Sequence, residues 1–334
     1  CGESCVPDAF VRLLTDKADG VPLYIEESTR MAVDLGAGTV AGETASALRF
    51  TVPATIQDLL MARLDRLENA KQVAQLGGAI GREFSFALVQ AVLAHESSPI
   101  RVDDLAARLG ALVNSGLLIE KGEPPDTSYF FKHALVRDAA YQSLWERDRK
   151  SLHRCIAVVV GEKFRHLADN QPELLAYHYA EAGMDTEAVA YWERAARHAA
   201  SRSAHAEAIG HLGSGLALIA RLPAAAGRDR AELRLQLLLA GQLIATEGYG
   251  ADQVGRAYIR ASELCHAVGD ESALMKIQLG LEGYHFMRAD FEQAHAIAGQ
   301  AAAIMSGATD PMRRLQSSWA IANILFHQGE LVSA

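Results

Sequence analysis

Over residues 172–334 nearly all apolar residues recur at helical spacing, and small and aromatic residues return within that pattern at fixed offsets. Ala176, Tyr179, Gly183, Ala188, Trp192 and Ala195 form the clearest copy. The spacing returns around Ala289-Asp290-Phe291 with Ala294, Ala298 and Ala301, and Gly329-Glu330-Leu331 opens another turn after Ala322 and Leu325. Ala208, Leu212 and Gly215 mark an intervening unit of irregular length, and 229–268 carries two more apolar-faced helices. A unit of this kind cannot bury its apolar face alone, so the repetition predicts helical hairpins that stack into an α-solenoid with a concave surface for a peptide or partner domain.

These offsets are those at which tetratricopeptide repeats place small and aromatic residues, so 166–334 is expected to be tetratricopeptide-like. The chain opens on Cys1 and closes at Ala334 within a repeat lacking its second helix. Truncation at both ends is therefore expected.

Before residue 166 the punctuation differs. Phe10, Leu13 and Leu14, then Leu23, Ile25, Met31 and Leu35, predict helices over 8–18 and 22–35 around a Gly20-Val21-Pro22 break. Residues 36–51 are rich in Gly, Thr, Ser and Ala, as a linker would be, which gives a first segment of 1–50. Pro53 is expected to open a helix through about Leu67, with Ile56, Leu59, Leu60, Leu64 and Leu67 on one stripe. Helices over 69–80, 84–95 and 102–115 follow, with breaks at Gly77-Gly78, Gly81 and Ser97-Ser98-Pro99. Two β-prone runs, Leu117–Glu120 and Tyr129–Lys132, flank a Gly122–Asp126 turn. Three helices and a two-stranded wing predict a winged-helix-like module, and with the helical run 133–166 it makes up a segment of 51–165.

Charge and cofactor chemistry narrow the function. The net charge is −9, and residues 51–165 hold 15 Lys/Arg against 14 Asp/Glu, which is not the basic surface that phosphate binding requires. Within the helix Arg101–Ser115, Arg101 and Arg108 are offset by Asp103 and Asp104, so no direct nucleic-acid partner is expected. Uncharged runs such as Leu315–Gly329 fall short of the roughly 20 residues that cross a bilayer, and no signal peptide opens the chain. A cytoplasmic protein without a membrane partner is expected. Cys1 and Cys5 have no second Cys/His pair at zinc spacing, so no metal site is expected.

The sequence has no Gly-x-x-x-x-Gly-Lys-Ser/Thr phosphate loop and no His-Glu-x-x-His, and Gly213-Ser214-Gly215 falls in a helical run rather than on a nucleophile elbow. No catalytic residue is assigned, and the chain is not expected to be an enzyme by itself. Of twelve histidines, His133 stands apart: it follows the second β-prone run and starts a helix.

Gly20-Val21-Pro22-Leu23-Tyr24-Ile25-Glu26-Glu27 resembles the Gly-x-Pro-Leu element in the lid of STAND-type signal-transduction ATPases, relatives of the AAA+ class. Val52–Leu67, Ile80-Gly81-Arg82-Glu83-Phe84 and Phe131–Asp138 are similar to a bacterial branch in which tetratricopeptide repeats follow the ATPase and a class III adenylate/guanylate cyclase domain often precedes it. The resemblance implies a mainly α fold made of a helical lid remnant, a winged-helix-like module with a short β-hairpin, and an α-solenoid. It implies that Gly20 and Pro22 belong to a nucleotide-contacting lid and that His133 senses the diphosphate. Ala134 stands where an aspartate is usual. ATP/ADP is then the cofactor of the intact parent, with none expected for this fragment. The implied partners are a P-loop domain absent from this sequence and a protein or peptide on the repeats. The implied function is regulation of an ATP-dependent switch controlling a cyclase output. The alternative is the sensor half of a transcriptional regulator with a downstream helix-turn-helix.

Overall fold

A computed structural model describes residues 22–34, 55–95, 102–123, 126–305, 321–322 and 325–326. The expected helix over 8–18, Gly20, the linker 36–51, Pro53 and the closing repeat at 329–334 lie outside them. The described residues form fifteen helices and three short strands, a mainly α protein. The chain divides into two compact units between Val159 and Val160.

The first unit begins with α1 (Pro22–Asp34), α2 (Ile56–Arg66) and α3 (Glu68–Ile80). Thr55 caps α2, its Oγ1 accepting from the Asp58 amide at 3.1 Å. Leu59, Leu60 and Leu64 on one stripe of α2 are fully buried. α3 packs against α2, α4 (Phe86–His95), α5 (Val102–Asn114) and α6 (Ala134–Gln142). The expected break at Gly77-Gly78 does not occur. α3 runs through both glycines to Ile80, and they are sites of close approach: a Cβ on Gly77 would lie 2.6 Å from Phe84 Cζ, and one on Gly78 3.2 Å from the Arg137 carbonyl oxygen of α6.

The expected two-stranded wing is a three-stranded sheet. β1 (Glu83–Ser85), β2 (Leu118–Lys121) and β3 (Ser128–Phe131) pair antiparallel in the order β1-β3-β2, with Phe84 opposite Tyr129 and Leu118 opposite Phe131. Residues 83–85, mostly assigned to a helix by the sequence pattern, are extended because Phe84 pairs across to Tyr129, their rings stacked at 6.0 Å. α4 consequently starts at Phe86. The elements follow one another in the order α3-β1-α4-α5-β2-β3. The run 133–166 is likewise not one helix: it divides into α6, α7 (Glu146–Lys163) and the start of α8 (Arg165–Asn170).

The second unit continues with α9 (Pro172–Glu181), α10 (Asp185–Ser201), α11 (His205–Ile219), α12 (Ala226–Glu247), α13 (Asp252–Val268), α14 (Glu271–Met287) and α15 (Phe291–Met305). From α9 on, each helix packs on the next, forming a tetratricopeptide-like stack. The repeat residues Ala176, Ala188, Ala195, Ala208, Ala294, Ala298 and Ala301 are all buried. At three corners, besides the one at Gly269 (φ 71°), the chain turns through one left-handed residue, Gly183 at φ 74°, Ser203 at 58° and Ala289 at 59°. At each, the following amide donates to the carbonyl five residues back: Met184 to Tyr179, Ala204 to Ala199 and Asp290 to His285. A buried alanine lies five residues after each left-handed one. The repeated offset in the sequence is thus the repeat of one corner.

Candidate functional site

Of the residues singled out by the sequence, Pro22 and His133 are described, the first opening α1 and the second at the head of α6. Pro22 is the exposed first residue of α1, a position whose missing N–H is unused in any helix. Glu26 stands one turn further along the same helical face, a rise of about 6 Å. Lys132 Nζ at the end of β3 donates to Glu26 Oε1 at 2.7 Å, and Arg30 pairs with the same carboxylate at 3.3 Å. The Lys132 hydrogen bond, followed by the charges of Lys132, Arg30 and His133, holds the Glu26 carboxyl below its ordinary value, burial opposing them.

His133 occupies the N-cap of α6 in an extended conformation, and its side chain makes no capping hydrogen bond. The ring Nε2 is buried without a hydrogen-bond partner among the described residues. The first amides of α6 and this ring nitrogen therefore meet at the head of one helix. Gly20 lies outside the described residues.

Beneath this surface is a second pair. Glu27 of α1 is 1% exposed and Arg63 of α2 is 6% exposed, and the Arg63 guanidinium binds both the Glu27 Oε2 and the Ser115 carbonyl at the end of α5. Arg30 also donates to that carbonyl, at 3.4 Å. Glu27 Oε1 has no hydrogen-bond partner among the described residues. Two carboxylates of α1, Glu26 and Glu27, thus face two cations of the module. Arg63 and Glu27 lie within the quoted motifs, but neither was assigned a role from the sequence. A signal was present, because Arg63 falls within the stripe Ile56, Leu59, Leu60, Leu64, Leu67, where an apolar residue belongs.

Beside Lys132 the outer sheet face forms an open cleft lined by Arg82, Ile119, Lys121 and Phe130. Ile119 is 51% exposed, and Lys121 Nζ sits 5.8 Å from the Phe130 ring centroid. On α5, Arg108 donates to the Asn69 carbonyl at 2.6 Å, which ties that cation to α3. Among the described residues no cluster of three or more His, Cys, Asp or Glu is placed to hold a metal ion, and no helix is long and apolar enough to cross a membrane.

In the stack of helices, aromatic and charged pairs join successive elements. Trp192 of α10 stacks on His211 of α11 at 5.3 Å, and Arg194 lies 4.9 Å over the Tyr191 ring while binding Asp169 at 2.9 Å. Glu193 receives Arg197 at 2.9 Å and Arg234 of α12 at 3.0 Å.

No family model matches the chain. The uncharacterized protein R02095 of Rhizobium meliloti (strain 1021) is 26% identical over 335 residues, which cover 97% of this chain and 32% of that protein. The chain spans about a third of the length of that curated relative. Among solved structures, the Signal Transduction ATPase with Numerous Domains (STAND) protein with a tetratricopeptide repeat sensor, PH0952 from Pyrococcus horikoshii, is 13% identical with a TM-score of 0.34; the match covers 98% of this chain and 49% of that one. BtubC (BKLC) from P. vanneervenii is 16% identical with a TM-score of 0.25, over 84% and 87% of the two chains. At such scores neither likeness carries an argument about this chain.

Proposed function

We propose that this chain is the regulatory and protein-interaction part of an ATP-dependent signal-transduction ATPase, with α1 as the lid remnant and the winged-helix module as the nucleotide-sensing relay. The α9–α15 stack receives a protein or peptide, and a cyclase domain elsewhere in the parent is the output. The observation carrying this reading is the arrangement at α1 and α6. Pro22 opens α1 one turn before Glu26, His133 follows Lys132 in sequence, and Glu26 pairs with Lys132. The donors there fit an anionic oxygen: an imidazole nitrogen without a partner next to an uncapped helix start is suited to phosphate. In the intact parent the nucleotide supplies the diphosphate. His133, protonated on Nε2, orients and holds one of its oxygens, while Pro22 lies on the base side.

The test is His133→Ala in the intact parent. A hydrogen bond to a charged group contributes about 1.5–3 kcal/mol, so ADP should dissociate about 10- to 100-fold faster with the melting midpoint little changed. An unaltered ADP off-rate alongside a lower melting midpoint removes His133 from the nucleotide site and leaves it a helix-start residue.

A further inference from the structure

The seam that fastens α1 to the module is polar where a core helix is apolar. Among the described side chains of α1, residues 22–30, the buried ones are Tyr24, Glu27 and Ser28, at the i, i+3 and i+4 spacing of one face, whereas Ile25 is 42% exposed. A helix held by the hydrophobic effect places its aliphatic residues inward and its carboxylates outward. Here aliphatic Ile25 is turned out and carboxylate Glu27 is turned in.

Two features keep the net gain of docking small. Glu27 and Arg63 surrender their hydration to meet each other, a cost that their attraction offsets only when every remaining lone pair is satisfied. Glu27 Oε1 is not satisfied. The outer pair across the seam, Lys132–Glu26, has side chains 31% and 37% exposed, so water and salt screen it, while Arg30–Glu26 lies within α1. When α1 leaves, Glu26, Glu27, Arg30, Arg63 and Lys132 all regain water. The helices of the module meanwhile keep their own core of Leu59, Leu60, Leu64, Val73, Leu105, Leu109 and Phe131.

We infer that α1 is an electrostatic latch: Glu26 and Glu27 dock it reversibly on Lys132 and Arg63, and it opens without unfolding the helices and sheet beneath. The latch goes beyond the nucleotide reading and does not require it, since every group in it belongs to this chain.

Hydrogen exchange on the purified chain, read on peptides covering Pro22–Asp34 and Glu68–Ile80, tests it. In the wild type, α1 amides exchange faster than those of α3, and moving from low salt to 0.5 M NaCl, on the order of a 4 Å Debye length, accelerates only α1. Glu26→Lys speeds α1 exchange about 3- to 10-fold, and Glu26→Lys with Lys132→Glu restores the protection. Glu27→Gln speeds it about 10- to 100-fold. In both single variants the exchange of α3 and the melting midpoint stay at wild-type values. Exchange of α1 at the same rate as α3 overturns the latch. So does a Glu27→Gln variant that loses the module together with α1, because the pair is then part of the core. Failure of the charge swap to restore protection overturns the role of Lys132. Since nucleotide is absent, these outcomes are independent of the His133→Ala result.

Discussion

Replacing single glycines by alanine in the stacked helices should change stability in opposite directions according to what faces each Cα. In α13 and α14 the glycines and tyrosines interlock: the Tyr258 ring covers Gly280, the Tyr284 ring covers Gly255, and Tyr249 lies against Gly283. A Cβ on Gly280 would stand 2.6 Å from Tyr258 Cε2, and one on Gly255 2.7 Å from Tyr284 Cε2. Both glycines are buried, and burial also pushes the Tyr258 phenol above its ordinary pKa. Each ring would have to move out of a packed interface, an overpacking cost of about 1–3 kcal/mol. The alanine returns about 1 kcal/mol of helix propensity, so Gly280→Ala and Gly255→Ala should each cost up to about 2 kcal/mol net. Gly210 and Gly213 of α11 are exposed, and a Cβ on either meets nothing within 4 Å. There the propensity gain stands alone, about 0.5–1 kcal/mol. Melts followed by far-ultraviolet circular dichroism should separate the pairs, with Gly210→Ala and Gly213→Ala moving up and Gly280→Ala and Gly255→Ala moving down, by about 2–4 °C per kcal/mol for a unit of this size. If Gly280→Ala raises the midpoint as Gly210→Ala does, the ring-on-glycine packing of α13 and α14 is wrong.

Two further predictions concern the corners and acid. Ser203 and Ala289 hold the left-handed conformation that costs a non-glycine residue about 1–2 kcal/mol, so Ser203→Gly and Ala289→Gly should be neutral to about 1 kcal/mol stabilising, and Ala289→Val destabilising, in urea titrations. A stabilising Ala289→Val contradicts the corner geometry. Burial, and after it the charge of Arg149, depress the His153 imidazole from 6.5 to about 4, and its Nε2 lies 2.9 Å from the Tyr141 hydroxyl. The unfolded chain then takes up a proton that the folded chain refuses. The His153 contribution is therefore complete above about pH 6.5 and is lost as pH falls toward about 4, a loss of about 3 kcal/mol across the window. His153→Gln should flatten that part of the stability profile; an unchanged slope assigns the acid sensitivity elsewhere.

Much of the stack was legible because its corners write themselves into the sequence. A left-handed residue followed five positions later by an alanine that must fit between helices leaves a readable trace at Gly183 and Ala188. Strand β1 left no such trace. Glu83-Phe84-Ser85 runs into the apolar Phe86-Ala87-Leu88, and only pairing with β3 makes it extended. Gly77 and Gly78 read as punctuation because their purpose, a ring and a backbone against the helix, is tertiary. Around α1 the motif pointed to Pro22 and His133; Pro22 opens α1 one turn before Glu26, and His133 follows Lys132 in sequence. The ionic seam itself was hidden, because Glu26-Glu27 on a short helix reads as a solvated face until Arg63 is seen inside the α2 stripe.

The central claim, that α1 and the winged-helix module form a nucleotide-dependent switch, is tested most directly by hydrogen exchange on the intact parent, loaded in turn with ADP and with a non-hydrolysable ATP analogue. Amides of Pro22–Asp34 and of the first turn of α6 should be protected with ADP and exchange at least about 10-fold faster with the analogue, as a difference of roughly 1.4 kcal/mol between the two states requires, while α3 is unaffected. Identical exchange at α1 and α6 in the two nucleotide states, in a protein shown to bind both, contradicts the account.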